Sequence, residues 1–161
     1  MLPRTLILPS LLLAASACGA SAGTVNVSFP SSDKHPDVGI TSWDQEANLR
    51  VLGAHLRKLG QRMLPTDQVL TIEVLNVHLA GTVMSSKIRV LTGGADWPSA
   101  HLRYTLEAPG RPTVTGDERV TDMNYLNGMT AYGDSDALLY ERRMLSRWFK
   151  ERFTGGLAAP G

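Results

Sequence analysis

Residues Ala100-His101-Leu102-Arg103-Tyr104-Thr105-Leu106-Glu107 alternate apolar and polar side chains without a break, the period of a strand with one buried face. Ala100, Leu102, Tyr104 and Leu106 face one way; His101, Arg103, Thr105 and Glu107 face the other. Ala108 to Pro112 reads as a turn, and beyond it Val114 and Val120 share a parity. Only an odd loop length brings them to the same side as Leu106 and Ala100. The register that follows sets Leu106 opposite Val114, Tyr104 opposite Gly116, Leu102 opposite Glu118 and Ala100 opposite Val120. A tyrosine ring then covers a glycine of the neighbouring strand, and Arg103 meets Asp117 on the outer face. Glu118 is directed at the inner, helix-covered face, where an unpaired carboxylate is costly, so an arginine partner is expected, Arg142 or Arg143.

Upstream, Thr24 to Phe29 alternates as a half-buried strand that Pro30 ends, and Ser31 to Thr41 reads as loop. Ser42 with Gln45 makes a capping-box pattern, in which hydroxyl and amide each satisfy a backbone N–H at a helix start. Leu49, Leu52, Leu56, Leu59 and Met63 then recur at spacings of three and four, one apolar stripe that Pro65 stops. Leu70 to Leu79 reads as a strand, but Ile72 and Val74 have one parity and Leu75, Val77 and Leu79 the other. A bulge near Val74-Leu75 reconciles them, as does a central strand buried on both faces. Ile88 and Val90 form a short strand that Gly93-Gly94 break.

Downstream, Thr121 to Gly133 is a thirteen-residue loop holding Tyr125, Tyr132, two methionines and two asparagines. Asp134-Ser135-Asp136 suits a helix N-cap with acids in the first turn, and the helix runs to Phe153. Its inner face carries Leu138, Leu145, Trp148, Phe149 and Arg152, with Met144 at the margin. The order is β-α-β-β-β-β-α: an α+β fold, with an antiparallel-rich sheet of about five strands and two helices packed on one face. It forms a single domain over residues 23–153, followed by a flexible tail, 154–161. No internal repeat is visible.

With 161 residues, 43% apolar and 19% charged, the chain has room for one core and is not collagen-like, disulfide-stapled or disordered. Met1 to Ala22 reads as a secretory signal peptide: Arg4, an apolar run from Leu6 to Leu13 interrupted by Pro9, then small residues. The run is shorter than the roughly 20 apolar residues of a transmembrane helix, and no later segment qualifies. Small residues spaced for cleavage occur as Ala15-Ser16-Ala17 and Ala20-Ser21-Ala22, and a cut after Ala22 is preferred. The one cysteine, Cys18, lies inside this segment. An exported mature chain without it stands on its core alone; the alternative is a lipoprotein anchored through Cys18. Loss of residues 1–22 removes Arg4 and no acid, which leaves bases and acids equal.

The charges are unevenly spread. Between Asp44 and Arg62 four bases face two acids, and between Asp136 and Arg152 five face three. That excess is far below what phosphate-backbone binders carry, so both helices read as mildly basic solvated faces and nucleic acid is not a partner.

Several blocks stand out in order: Trp43 after the Ser42 cap, Leu59-Gly60-Gln61-Arg62-Met63-Leu64-Pro65, Ile72-Glu73-Val74-Leu75-Asn76-Val77 with Leu79-Ala80-Gly81, and Gly93-Gly94-Ala95-Asp96-Trp97-Pro98. Asp122-Met123-Asn124-Tyr125-Leu126 and Tyr140-Glu141-Arg142-Arg143-Met144-Leu145 with Trp148-Phe149 follow. Together they resemble a bacterial secreted family, domain of unknown function 3016, over about Thr24 to Phe153. The resemblance implies a single domain exported to the periplasm, and it carries no assigned catalytic residues.

The chain has no nucleophile elbow, P-loop, Rossmann glycine run or zinc-helix motif. His78 and His101 fall on strand outer faces, where a metal between them lacks further ligands at fixed spacing. Asp33, His35 and Asp37 mimic a calcium loop, but Val38 stands where such a loop needs glycine. No metal or cofactor is implied. Gly93 to Pro98 combines flexible glycines, the Asp96 carboxylate and the Trp97 plate, ingredients for gripping a sugar or peptide. The same residues suit a tight turn with Asp96 bonding backbone N–H groups and Trp97 packed on the core. Asp122, Asn124 and Tyr125 carry the same two readings, organising their loop or lining a cleft with Glu118. The leading expectation is a periplasmic module that binds an envelope protein or polymer through loops 93–98 and 121–135, with Asp96, Trp97, Glu118, Asp122, Asn124 and Tyr125 as contact residues. The alternative is a hydrolase of an envelope polymer using Glu118 with Asp96 or Asp122 as a carboxylate pair.

Overall fold

The computed structural model describes residues 23–30, 37–84, 88–127 and 138–154. The signal segment with Cys18, Asp33 and His35, the Asp134-Ser135-Asp136 cap and the tail from 155 lie outside the described residues.

The elements run β1 (Thr24–Ser28), α1 (Ser42–Met63), β2 (Val69–His78), β3 (Thr82–Val83), β4 (Arg89–Val90), β5 (Ser99–Glu107), β6 (Val114–Thr121) and α2 (Leu139–Phe153). The fold is α+β. Its main sheet has four strands in the order β1-β2-β5-β6. It is mixed: β1 runs parallel to β2 because α1 carries the chain back across the sheet before β2 begins, whereas the other two pairings are antiparallel. The expected strand around Ile88 and Val90 does not join this sheet. It pairs with Thr82-Val83 as a separate two-stranded ribbon. At two residues per strand the ribbon is too short to span the sheet, and Arg89 pins its base through hydrogen bonds to the carbonyls of Leu79, Gly81 and Asp37.

The β5–β6 register is the one the alternation predicts, from Leu106↔Val114 through Tyr104↔Gly116 and Leu102↔Glu118 to Ala100↔Val120. The split parity of β2 is resolved by a bulge between Val74 and Asn76. Leu70, Ile72, Val74 and Val77 therefore share the buried face with Ala100, Leu102, Tyr104 and Leu106. Both helices cover that face, α1 against β1 and α2 against β6, and they touch each other. Gly60 lets α1 approach β1: a Cβ there would overlap the side chain of Val25.

Two helix starts differ from expectation. The cap of α1 is Thr41, not Ser42: the Thr41 hydroxyl accepts from the Asp44 N–H at 3.1 Å, and the Asp44 carboxylate accepts from the Thr41 N–H at 3.0 Å. A carboxylate at the third position answers the helix dipole better than the Gln45 amide, which shifts the box by one residue. Helix α2 begins at Leu139 behind a left-handed Leu138 with φ of 59°, later than an Asp134–Asp136 cap would start it. Met144, expected at the margin of its inner face, is fully buried beside Leu145, Trp148 and Phe149.

Candidate functional site

The chain enters β5 at Ser99 and leaves β6 at Thr121 at the same end of the sheet, where the Asp122 N–H donates to the Pro98 carbonyl at 3.2 Å. Asp96 organises the turn before Pro98. One carboxylate oxygen accepts from the Thr92 N–H at 2.7 Å and the Thr92 hydroxyl at 2.8 Å; the other accepts from the Tyr125 hydroxyl at 2.9 Å. The Tyr125 oxygen in turn accepts from the Gly93 N–H at 3.3 Å, and Gly93 takes the left-handed φ of 71° that this turn requires. The Thr92 N–H, more than any other neighbour, holds the Asp96 carboxyl below the usual carboxylate range. Burial, then the Asp96 hydrogen bond, pushes the Tyr125 phenol up. The Tyr125 ring is buried edge-on against Tyr140 of α2, with centroids 5.0 Å apart.

Asp96 and Tyr125 thus meet, as a structural tie between the two loops. Trp97 is half-buried and borders a recess of about 310 Å³ shared with Asp37, His78 and Ser99. Asn124 is exposed, and its N–H donates to the buried Asp122 at 3.2 Å. Asp122 also pairs with Arg147 of α2 at 3.2 Å. Around this end the apolar side chains of Leu91, Met123 and Leu126 are exposed, and Leu126 lies over Gly93. The ribbon extends the exposed apolar surface through Val83, Met84, Ile88 and Val90.

Glu118 stands apart from these loops. Its carboxylate accepts from the Tyr104 hydroxyl at 2.9 Å and the Trp148 indole N–H at 3.0 Å, and it pairs with Arg152 at 3.0 Å. Burial and the Glu118 hydrogen bond push the Tyr104 phenol up to about 12. The arginine is therefore Arg152, not the expected Arg142 or Arg143; it lies four residues from Trp148, one helical turn along the face that covers β6. Glu118 and Asp122 are four residues apart in extended chain, about 13 Å, whereas the carboxyl pairs of glycoside hydrolases stand about 5 to 9.5 Å apart.

His78 and His101 each bond their own aspartate, Asp37 and Asp117, and no group of three potential metal ligands occurs among the described residues. No helix among the described residues is long and apolar enough to cross a membrane.

Another recess lies between the helices. This cleft of about 390 Å³ is walled by His55 of α1, by Arg142, Arg143, Ser146 and Arg147 of α2, and by Asp122. His55 Nε2 is 3.0 Å from the Arg142 carbonyl and 2.8 Å from the Ser146 hydroxyl. A carbonyl only accepts, so Nε2 carries the ring proton. Burial, followed by the Arg142 charge, lowers the His55 pKa from its usual value. Sequence reasoning passed over this cleft; its only signal was the surplus of bases along α2.

No curated protein matches the chain. Residues 23–151 match the family described as protein of unknown function (DUF3016), and the chain belongs to that family.

Proposed function

We propose that this protein is an exported periplasmic binding module whose contact surface is the fused end of the sheet, formed by residues 91–98 and 121–127, and that its partner is an envelope protein or polymer. The observation that carries this reading is the hydrogen bond from Tyr125 to Asp96. It joins two loops from separate strand ends, and beside it Leu91, Met123 and Leu126 are held in solvent on a rigid base. Asn124, exposed next to Met123 in the chain, supplies a hydrogen-bonding group, and Trp97 supplies a ring at the neighbouring recess with Asp37 and His78. The carboxylates offered for hydrolysis are instead engaged in holding loops and helices in place, which favours binding over the Glu118-based hydrolase.

The export half of the proposal rests on the composition of residues 1–22 and is tested by mass spectrometry of the mature chain. An N-terminus at Gly23 agrees with it, a lipid on Cys18 moves the protein to a membrane anchor, and a retained Met1 contradicts it. The binding half is tested by photocrosslinking in cells, with the reactive side chain placed at Met123 or Leu126 and, for comparison, at Thr105 on the outer face of β5. A discrete crosslinked species from the first two positions and none from Thr105 supports the lip. Equal labelling from all three contradicts it.

A further inference from the structure

The geometry points to a second site: the cleft between α1 and α2 binds a phosphate group, gripped by Arg143 and Arg147 with the Ser146 and His55 pair behind them. This goes beyond the contact surface proposed above and does not depend on it. Among the described residues that line it, the cleft gathers the guanidinium groups of Arg142, Arg143 and Arg147 and one carboxylate, that of Asp122. Asp122 is buried and forms an ion pair with one guanidinium nitrogen of Arg147, Nη2, at 3.2 Å. A guanidinium has five N–H donors, so Arg147 retains donors for a ligand. Arg143 has no ion-pair partner among the described residues and is exposed at the rim. Concave walls with a surplus of one charge sign focus their field into the opening.

The chemistry selects the ligand class. Two planar forks suit the several oxygens and double charge of a phosphate better than a single carboxylate, and behind them the Ser146 hydroxyl, which donates to the Arg142 carbonyl at 2.7 Å and lies 2.8 Å from His55 Nε2, braces the wall of the cleft. The volume, about 390 Å³, exceeds that of a phosphoryl group alone, so atoms of a larger headgroup fit beside it.

The test is calorimetric titration of the mature protein with inorganic phosphate, ionic strength being held constant with chloride. Saturable binding near one equivalent, weakened at least about tenfold by Arg143→Gln and left unchanged by Arg111→Gln in the β5–β6 turn, is the expected result. Arg143→Glu, which places a like charge on the ligand, is expected to abolish binding altogether. Co-sedimentation with phosphatidylcholine vesicles, with and without phosphatidic acid, distinguishes the sources. Capture by phosphatidic acid that requires Arg143 identifies a headgroup, and binding of soluble phosphate alone identifies a free ligand; both support the cleft. Phosphate binding that does not saturate, or that Arg143→Gln and Arg111→Gln affect equally, overturns it, whatever the photocrosslinking shows about the lip.

Discussion

Glu118 is held by a phenol, an indole and a guanidinium at once, and its position shows how a single residue joins sheet to helix. Removing the carboxyl in Glu118→Ala leaves the Tyr104 hydroxyl and the Trp148 N–H without an acceptor. At about 1–3 kcal/mol for each unpaired buried group, the unfolding free energy measured by chemical denaturation should fall by about 2 kcal/mol or more, with Glu118→Gln milder because its amide oxygen still accepts. Glu118→Gln should also bring the Tyr104 phenol down from about 12, a shift that ultraviolet titration reads directly. Gly116 is the partner that admits the Tyr104 ring: a Cβ there would overlap it, so Gly116→Ala should destabilise although its backbone is ordinary. That pairing was legible from parity alone. The identity of the arginine on Glu118 was not, because helix phase narrows the partner to a face and cannot choose the turn. His55 gives a pH prediction. Its folded-state pKa lies below the usual 6.5, so the unfolded chain binds the proton more tightly, and stability contributed by neutral His55 is lost as pH falls below 6.5. Comparing chemical denaturation of the native protein and His55→Gln between about pH 5 and pH 7 should show a shallower acid decline in the variant, whose amide still donates to the Arg142 carbonyl.

At the scale of elements, α1 is anchored by its cap and by its close contact with β1. Thr41→Ala should lower stability by about 1 kcal/mol, whereas Ser42→Ala, inside the first turn, should be near neutral; thermal denaturation of the two variants separates the Thr41 box from the one expected at Ser42. The apolar stripe of α1, the β2 bulge and the β5–β6 ladder were readable because each is a local periodicity. The parallel β1–β2 pairing and the detachment of the ribbon were not: partner choice between strands far apart in sequence leaves no local mark, and a two-residue strand has no period to read. The same holds for the start of α2, where a left-handed Leu138 replaces the polar cap that propensity favours.

Across the whole molecule, one face of the sheet is sealed by two helices, and the proposed chemistry gathers at the sheet's end and in the groove between the helices. The sequence singled out the loops at that end through their length and aromatic content. That Asp96 and Tyr125 would find each other depends on the strand order, which composition does not carry. The helix groove was hidden for a simpler reason: bases on a helix read as solvated until a second helix encloses them. The central claim is that residues 91–98 and 121–127 act as one body through the Tyr125 hydroxyl. Amide hydrogen exchange in the native protein and in Tyr125→Phe tests it most directly. The account predicts that Thr92 and Gly93 lose protection in the variant while the β5 amides keep theirs; unchanged exchange at Thr92 and Gly93 would contradict it.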